Sequence, residues 1–186
     1  SCSGTFLTLE VDNGSVSSTG GLYDDKNRWT FFAVTYDGTL SVNNVRFYRG
    51  YRTGSEARQR PILGCVATGT LDKATVENDV TALYVGNRTT RMRPFKGYLD
   101  NIRIHGSKTD ASGALSAGDL ETLRAADVVD VADSRMLLEY KFNETGTNAP
   151  STGIYGNPLL LESTNGVGTD YHGAAGTGVL GIGDDR

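Results

Sequence analysis

The stretch RWTFFAVTYDG at residues 28–38 decides the fold class of this chain. It combines aromatic and β-branched residues, which favour extended strands, and it ends in Asp37-Gly38, a dipeptide that is typical of turns. A run of this kind, bounded by a turn signal, predicts a β-strand over residues 28–36.

Further strands are predicted on both sides of this run. Upstream, TFLTLEV at residues 5–11 leads into Asp12-Asn13-Gly14, and an Asn-Gly pair predicts a hairpin because both central residues of its turn must adopt positive φ. Downstream, five more runs are rich in strand-forming residues. They are NVRFY (44–48), ALYVGN (82–87), GYLDNIRIH (97–105), MLLEYKFN (136–143) and LLLE (159–162).

Only residues 116–126 have the pattern of a helix. Ser116 is a suitable N-cap, and Asp119 occupies the matching capping-box position. A narrow apolar stripe follows, made of Leu120, Leu123 and Ala126. One short helix among many strands predicts an all-β protein that is built as a sandwich or jelly roll.

Composition agrees with a chain of many turns and argues against several classes of protein. Its 186 residues suit one domain with a sizeable core. Of the 24 glycines, ten lie within residues 146–183, which predicts a glycine-rich C-terminal arm. The net charge of −4 weighs against nucleic acid as a partner, and no apolar run approaches the ~18 residues of a membrane span.

The charge is unevenly distributed along the chain. Residues 46–103 carry 11 basic and 5 acidic side chains, a net of +6, whereas the rest carry 7 and 17, a net of −10. One interpretation is that the basic groups lie on solvated strand faces and loop tips. The other is that they form a basic face, which binds an acidic glycan or the acidic part of another copy of the chain. Nearby tyrosines are either stacking platforms for sugars or ordinary strand packing. The candidate ligand-binding residues are Tyr48, Arg49, Tyr51, Arg52, Arg91 and Arg93.

The two cysteines, Cys2 and Cys65, lack the spacing of a metal site. Outside the cell they are expected to form a disulfide, and closing a loop of this length adds about 4 kcal/mol in the chain-entropy model. Two free, buried thiols are the alternative.

The apolar phase slips within GYLDNIRIH. Ile102 and Ile104 share one face of a strand, but Leu99 has the opposite parity, which predicts a bulge or bend near Asp100. An acidic side chain at such a place either coordinates a cation or accepts hydrogen bonds from loose backbone amides.

None of the acidic or histidine patterns completes a catalytic site. Glu10-Val11-Asp12 matches the beginning of the acidic signature of jelly-roll glycosidases, but these enzymes need a second glutamate as acid partner, and Asn13-Gly14-Ser15 follows here instead. The two histidines, His105 and His172, have no nucleophile in a recognised arrangement. We therefore expect a protein that is not an enzyme.

Five segments within residues 22–127 occur in a familiar order: WTFFAVTYDGT (29–39), VRFYRG (45–50), LYVGN (83–87), PFKGYLDNIRIHGS (94–107) and ALSAGDLETLRAAD (114–127). In order and spacing they resemble the laminin G-like, concanavalin A-like jelly-roll family of secreted bacterial proteins. The resemblance implies an antiparallel two-sheet jelly-roll sandwich outside the cell or at the cell surface. It also implies a non-catalytic role in binding polysaccharide or cell-surface glycan, or in adhesion.

A further segment, MLLEYKFNETGTNAPSTG at residues 136–153, resembles the opening strand of the same family, yet here it follows the other segments. We expect a body at residues 1–135 and an added segment at 136–186. Either the chain is a window from a tandem array, or the permuted order is native and a neighbouring copy supplies missing strands. The second explanation predicts a different function, a self-assembling structural subunit of a surface layer or extracellular fibre.

The resemblance also implies one structural calcium ion. Transferred to this sequence, its ligands are Asp100 with Asn143 or Glu144, whose oxygen atoms suit a hard cation. The family's later acidic ligand is replaced here by Pro150-Ser151-Thr152. The chain therefore departs from the family pattern at this site.

Overall fold

The computed structural model describes residues 7–11, 14–18, 30–51, 64–72, 97–107, 109–125, 134–141, 148–149, 151, 153–155, 159–160 and 179–181. The described strands are β1 (Thr8–Val11), β2 (Gly14–Ser17), β3 (Thr30–Tyr36), β4 (Val45–Tyr51), β5 (Gly64–Gly69), β6 (Gly97–Leu99), β7 (Ile102–His105), β8 (Met136–Tyr140), β9 (Asn148–Ala149), β10 (Leu159–Leu160) and β11 (Val179–Gly181). The described helices are α1 (Ala117–Ala125) and a 3-10 turn at Ala111–Gly113. The described strands pair antiparallel in small sheets, which confirms the predicted all-β class.

The chain divides into two compact units. The first comprises Ser1–Asp79 and Ser107–Ala132, and the second comprises Val80–Gly106 and Asp133–Arg186. The second part of the second unit begins at Asp133, close to the boundary that was expected after residue 135. The second unit also contains residues 80–106, which the sequence pattern assigned to the body.

The first unit is built on a three-stranded sheet with the order β3-β4-β5. β3 and β4 pair from Thr30↔Tyr51 to Tyr36↔Val45, and the β4–β5 register shifts between Phe47 and Tyr48. β3 and the beginning of β4 confirm the strands predicted from their aromatic and β-branched residues. No strand was predicted for β5, because its sequence GCVATG has few strand-favouring residues.

The hairpin β1–β2 covers one face of this sheet. The buried cluster on that face consists of Val11, Val45, Phe47 and Leu71. The predicted hairpin is confirmed, but Val11 pairs with Gly14, so residues 12–13 connect the strands and Gly14 belongs to β2. Gly14 is needed for space and not for positive φ, because a Cβ there would lie 3.1 Å from the Leu71 Cδ2 methyl group.

Helix α1 covers the opposite face, since the adjacent residues Phe47 and Tyr48 of β4 point to different sides of the sheet. A second buried cluster consists of Tyr48, Leu115, Leu120 and Leu123. The predicted capping box is also confirmed. The Asp119 amide donates to Ser116 Oγ at 3.2 Å, and Asp119 Oδ2 accepts from the Ser116 amide at 2.9 Å.

In the second unit, the strand predicted at residues 97–105 is interrupted. β6 ends at Leu99, β7 begins at Ile102, and Asn101 between them has a φ of 50°. This confirms the irregularity predicted near Asp100. β7 pairs with β8, and β6 pairs with β11, which comes from the glycine-rich arm.

Residues 151–155 lie along β8 wherever they are described. Ser151 bridges to Tyr140, and the amides of Ile154 and Tyr155 donate to the carbonyls of Met136 and Leu137 at 3.1 and 2.9 Å. β8 and β10 confirm the strands predicted at residues 136–143 and 159–162 in part, whereas the strand predicted at 82–87 lies outside the described residues. The described helices include none that is long and apolar enough to cross a membrane.

Candidate ligand-binding site

One row of side chains across the three-stranded sheet combines an aromatic ring, an arginine and a glycine. Phe32 of β3 pairs with Arg49 of β4, and Arg49 pairs on its other side with Gly64 of β5. Residues that face each other in an antiparallel sheet project from the same face. We call Phe32, Arg49 and Gly64 the Phe32 row.

The Phe32 row lies at the border of the core under the hairpin. Side chains alternate along a strand, so Phe32 and Arg49 share the face of Val34 and Phe47, one step further along. Phe47 is fully buried, whereas 39% of Phe32 is exposed and Arg49 is half-buried. Within one step the face therefore changes from sealed core to a surface that a ligand can reach.

Gly64 gives the row its shape. Neighbouring strands lie about 4.8 Å apart, so the row spans roughly 10 Å from Phe32 to Gly64. Phe32 stands on one side of Arg49, but Gly64 contributes no side chain on the other. The row therefore has a ring at one end and no side chain at the other.

The chemistry of the row suits a ligand with an apolar face and a polar edge. The quadrupole of an aromatic ring is negative over its face, which attracts the C–H groups of a sugar. The guanidinium of Arg49 carries five N–H donors in a planar fork that matches carboxylate oxygens. The row contains no side chain that commonly acts as a nucleophile or as a general acid or base.

The predicted ligand-binding residues do not all lie near the Phe32 row. Tyr48 is only 3% exposed and packs in the cluster with Leu120 and Leu123, so its ring offers no open face to a sugar and fits the packing alternative. Tyr51 ends β4 opposite Thr30. Arg52, Arg91 and Arg93 lie outside the described residues.

Phe32 is a candidate residue that the sequence interpretation did not single out. The signal was present in the adjacent pair Phe31-Phe32, because neighbours on a strand must face opposite sides. Phe31 packs against the cluster beneath α1. Phe32 therefore had to lie on the other face, where only part of the surface is covered.

Of the three predicted calcium ligands, only Asp100 lies within the described residues. Asp100 Oδ1 accepts a hydrogen bond from the Asn101 amide at 3.0 Å, which is the amide-satisfying role that was the alternative for this side chain. Asn143 and Glu144 lie outside the described residues. Within the described part of the chain there is no group of three or more metal-ligating side chains, and the calcium site stays a prediction.

Cys65 lies on β5 with a free thiol that is exposed, which contradicts the alternative of a buried thiol at this position. The disulfide stays a prediction, because its other member is not described. Its Sγ lies 3.6 Å from the Ala67 carbonyl oxygen, to which the thiol donates weakly. Cys2 lies outside the described residues.

Glu10, which opens the incomplete glycosidase-like signature, lies opposite Ser15 on the hairpin and is exposed. Because Val11 faces the core, Glu10 points away from the sheet. The expectation that the protein is not an enzyme stays a prediction.

Comparison with known proteins identified no relative of this chain. The chain matches no family model, no curated protein and no solved structure. The resemblance to laminin G-like domains therefore stays a prediction from the motifs, and the argument for function depends on the geometry of the site.

Proposed function

We propose that the protein is a non-catalytic glycan-binding or adhesion module of the laminin G-like type, located outside the cell or at the cell surface. The observation that carries the proposal is the Phe32 row. It presents a partly exposed ring beside a half-buried arginine on a sheet whose neighbouring row contains the fully buried Phe47. A sugar can stack on the ring of Phe32 and accept hydrogen bonds from the guanidinium of Arg49.

We further propose that the fold is an antiparallel two-sheet jelly roll with a permuted strand order. The support is the pairing of β7 with β8, which runs from Ile102↔Tyr140 to His105↔Met136. The segment that resembles the family's opening strand thus finds an antiparallel partner within its own chain. This pairing favours a permuted order that is native to the chain.

A glycan array with neutral and acidic polysaccharides, followed by isothermal titration calorimetry, tests the proposed function. We expect Phe32→Ala to weaken binding about tenfold, because losing the ring contact removes about 1.4 kcal/mol. Tyr155→Ala is the matched control, since this aromatic side chain is 43% exposed but lies in the second unit. Absence of binding to every glycan, or equal losses in both variants, contradicts the proposal.

The second candidate is a self-assembling structural subunit of a surface layer or fibre. Two strongly exposed aliphatic side chains, Val42 and Ile154, favour it because such groups often mark protein contacts. The in-chain pairing of β8 and β11 counts against the sharing of these two strands between copies. Light scattering and negative-stain imaging decide the question, and a stable monomer at micromolar concentration removes this candidate.

A further inference from the structure

We infer that a second sugar-binding site lies on the opposite face of the three-stranded sheet, and that it takes an uncharged sugar with two adjacent hydroxyl groups. The site consists of Thr35, Asp37, Arg46 and Thr68, which we call the Arg46 shelf. It goes beyond the Phe32 row, because it has its own position and its own ligand chemistry. Its residues and those that flank them along each strand belong to the described segments 30–51 and 64–72.

Arg46 lies in an open row of the sheet next to the core beneath α1. It pairs with Thr35 on β3 and with Thr68 on β5, so the three side chains project from one face. Tyr48, two positions along β4, shares this face and is buried in the cluster beneath α1. Arg46 and Thr68 are exposed, and Thr35 is half-buried. The cover by α1 therefore does not extend to the row of Arg46, and a ligand can reach it.

The row of Arg46 offers both donors and acceptors of hydrogen bonds. Within the described structure Arg46 forms no hydrogen bond, ion pair or ring contact, so its guanidinium donors are available to a ligand. The hydroxyl of Thr68 donates to Asn43 Oδ1 at 3.2 Å, and its oxygen is left as an acceptor. The hydroxyl of Thr35 can act in either role.

Asp37 supplies a fixed acceptor one row further along. Its amide donates to the Asn44 carbonyl at 2.8 Å, which continues the pairing of β3 and β4 beyond Tyr36. Its Oδ1 accepts from the amide and the hydroxyl of Thr39 at 3.0 and 2.6 Å, and these bonds hold the carboxylate in place. The other oxygen, Oδ2, accepts no hydrogen bond from the described residues. An acceptor that is already held in position costs a ligand less ordering when it binds.

Asp37 and Arg46 are diagonal neighbours, and no ion pair joins them in the described part of the sheet. Diagonal neighbours in an antiparallel pair lie about 7–8 Å apart, within reach of long side chains. An anionic acceptor and a cationic donor can therefore contact the same ligand. Two adjacent sugar hydroxyls fit this arrangement, because one donates to Asp37 Oδ2 while the other accepts from the guanidinium. A carboxylate or sulfate group fits less well, since Asp37 repels it.

Native gels that contain dextran, galactomannan or arabinogalactan measure binding as retardation of the whole chain. Each polysaccharide is used intact and after periodate cleavage with borohydride reduction, which breaks the carbon–carbon bond between adjacent hydroxyls. The variants are Arg46→Gln and Asp37→Asn, which keeps an oxygen for Thr39 but loses the second acceptor. Glu10→Gln is the matched control, because its exposed carboxylate lies on the outer side of the hairpin. Thermal unfolding verifies that every variant is folded.

We expect the parent to bind at least one intact polysaccharide. Asp37→Asn and Arg46→Gln should each bind it about tenfold more weakly, because each removes a charged hydrogen-bond partner. The double variant should be little weaker than either single variant, since both side chains hold the same pair of hydroxyls. Glu10→Gln should match the parent, and the cleaved polysaccharide should bind the parent no better than the shelf variants.

Equal binding of intact and cleaved polysaccharide, or unchanged binding in Asp37→Asn or Arg46→Gln, overturns the inference. Tighter binding of polygalacturonate that depends on Arg46 also overturns it, because it would mark a site for anions. A loss confined to Phe32→Ala overturns the inference but leaves the proposed function intact. Absence of binding to all three polysaccharides overturns the inference, and together with an empty glycan array it overturns the proposed function as well.

Discussion

Arg103 of β7 and Glu139 of β8 lie directly opposite each other and form a largely buried ion pair. Their Nε and Oε1 atoms are 2.7 Å apart, and the two side chains are only 10% and 4% exposed. Lys141 is a second cation near the same carboxylate, with its Nζ 3.9 Å from Glu139 Oε2. A pair in this position makes the register of β7 against β8 depend on charge as well as on apolar packing.

Removing one member of this pair should destabilise the second unit strongly. Glu139→Gln leaves Arg103 buried without its counter-ion, and we expect a loss of about 3–5 kcal/mol in the free energy of unfolding. Urea denaturation with a probe in each unit measures this. The double variant Arg103→Met/Glu139→Leu is the control, because removing both charges together should be close to neutral. A small loss in Glu139→Gln would show that the pair is not desolvated in solution.

The capping box should contribute about 1 kcal/mol to the stability of the first unit. Ser116→Ala removes the acceptor of the Asp119 amide and exposes the beginning of α1 to fraying. Because α1 covers Tyr48, near-ultraviolet circular dichroism should report the loss together with chemical denaturation. Thr122→Ala is the control on the same helix, since its hydroxyl only donates back to the Gly118 carbonyl. Equal effects of the two substitutions would contradict the role of the cap.

Two glycine-to-alanine substitutions should have opposite signs. A Cβ at Gly153 would collide with the backbone carbonyl of Leu137, so Gly153→Ala should cost about 1–3 kcal/mol or displace the segment from β8. At Gly118, on the exposed side of α1, the added Cβ would lie 3.7 Å from Ser116 Oγ, an ordinary contact. We expect Gly118→Ala to stabilise by about 0.5 kcal/mol. Thermal melts of both variants test the pair, and stabilisation by Gly153→Ala would be incompatible with the close approach to β8.

The second unit should lose stability at alkaline pH through Tyr140. Burial raises the pKa of this phenol above its ordinary value of 10.0, because the charged form is desolvated. The folded state therefore holds the proton more tightly than the unfolded state does. The resulting stability is complete below the unfolded pKa and is lost as pH rises through the folded one.

Tyr140→Phe tests this pH dependence. Its free energy of unfolding should fall less than that of the parent between about pH 8 and about pH 11, since the ionising group is gone. Tyr155→Phe, at an exposed position in the same unit, is the control for the loss of a tyrosine hydroxyl group. Identical slopes in parent and Tyr140→Phe would contradict the prediction.

Much of the secondary structure could be predicted because its causes are local. β3 follows from a run of strand-forming residues, and α1 follows from Ser116 and Asp119 at capping-box spacing. The break at Asp100 was visible as a change of parity between Leu99 and Ile102. In each case the deciding interaction joins residues that are close in sequence, so the pattern alone contains the information.

The candidate site could be predicted only in part. Arg49 was chosen for its charge, whereas Tyr48, chosen as a neighbouring ring, lies beneath α1. Phe32 was missed for a different reason. The strand pattern shows that Phe31 and Phe32 face opposite sides of the sheet, but it does not show how much of each side is covered by α1 or by the β1–β2 hairpin. Gly64 could not be placed, because β5 has few strand-favouring residues and its register depends on the bulge opposite β4.

The sequence by itself determined an all-β chain with one capped helix, a hairpin near Gly14 and an irregular strand at Asp100. Only the tertiary structure decided which strands, helices and side chains pack against each other. Asn44 shows the difference: its side chain bonds both the amide and the carbonyl of Leu71, 27 positions away, at 2.8 and 2.7 Å. Strand and helix signals arise from neighbouring residues, but burial, register and the Phe32 row arise from contacts between distant ones. Such contacts depend on how whole elements pack, and a local pattern does not contain that information.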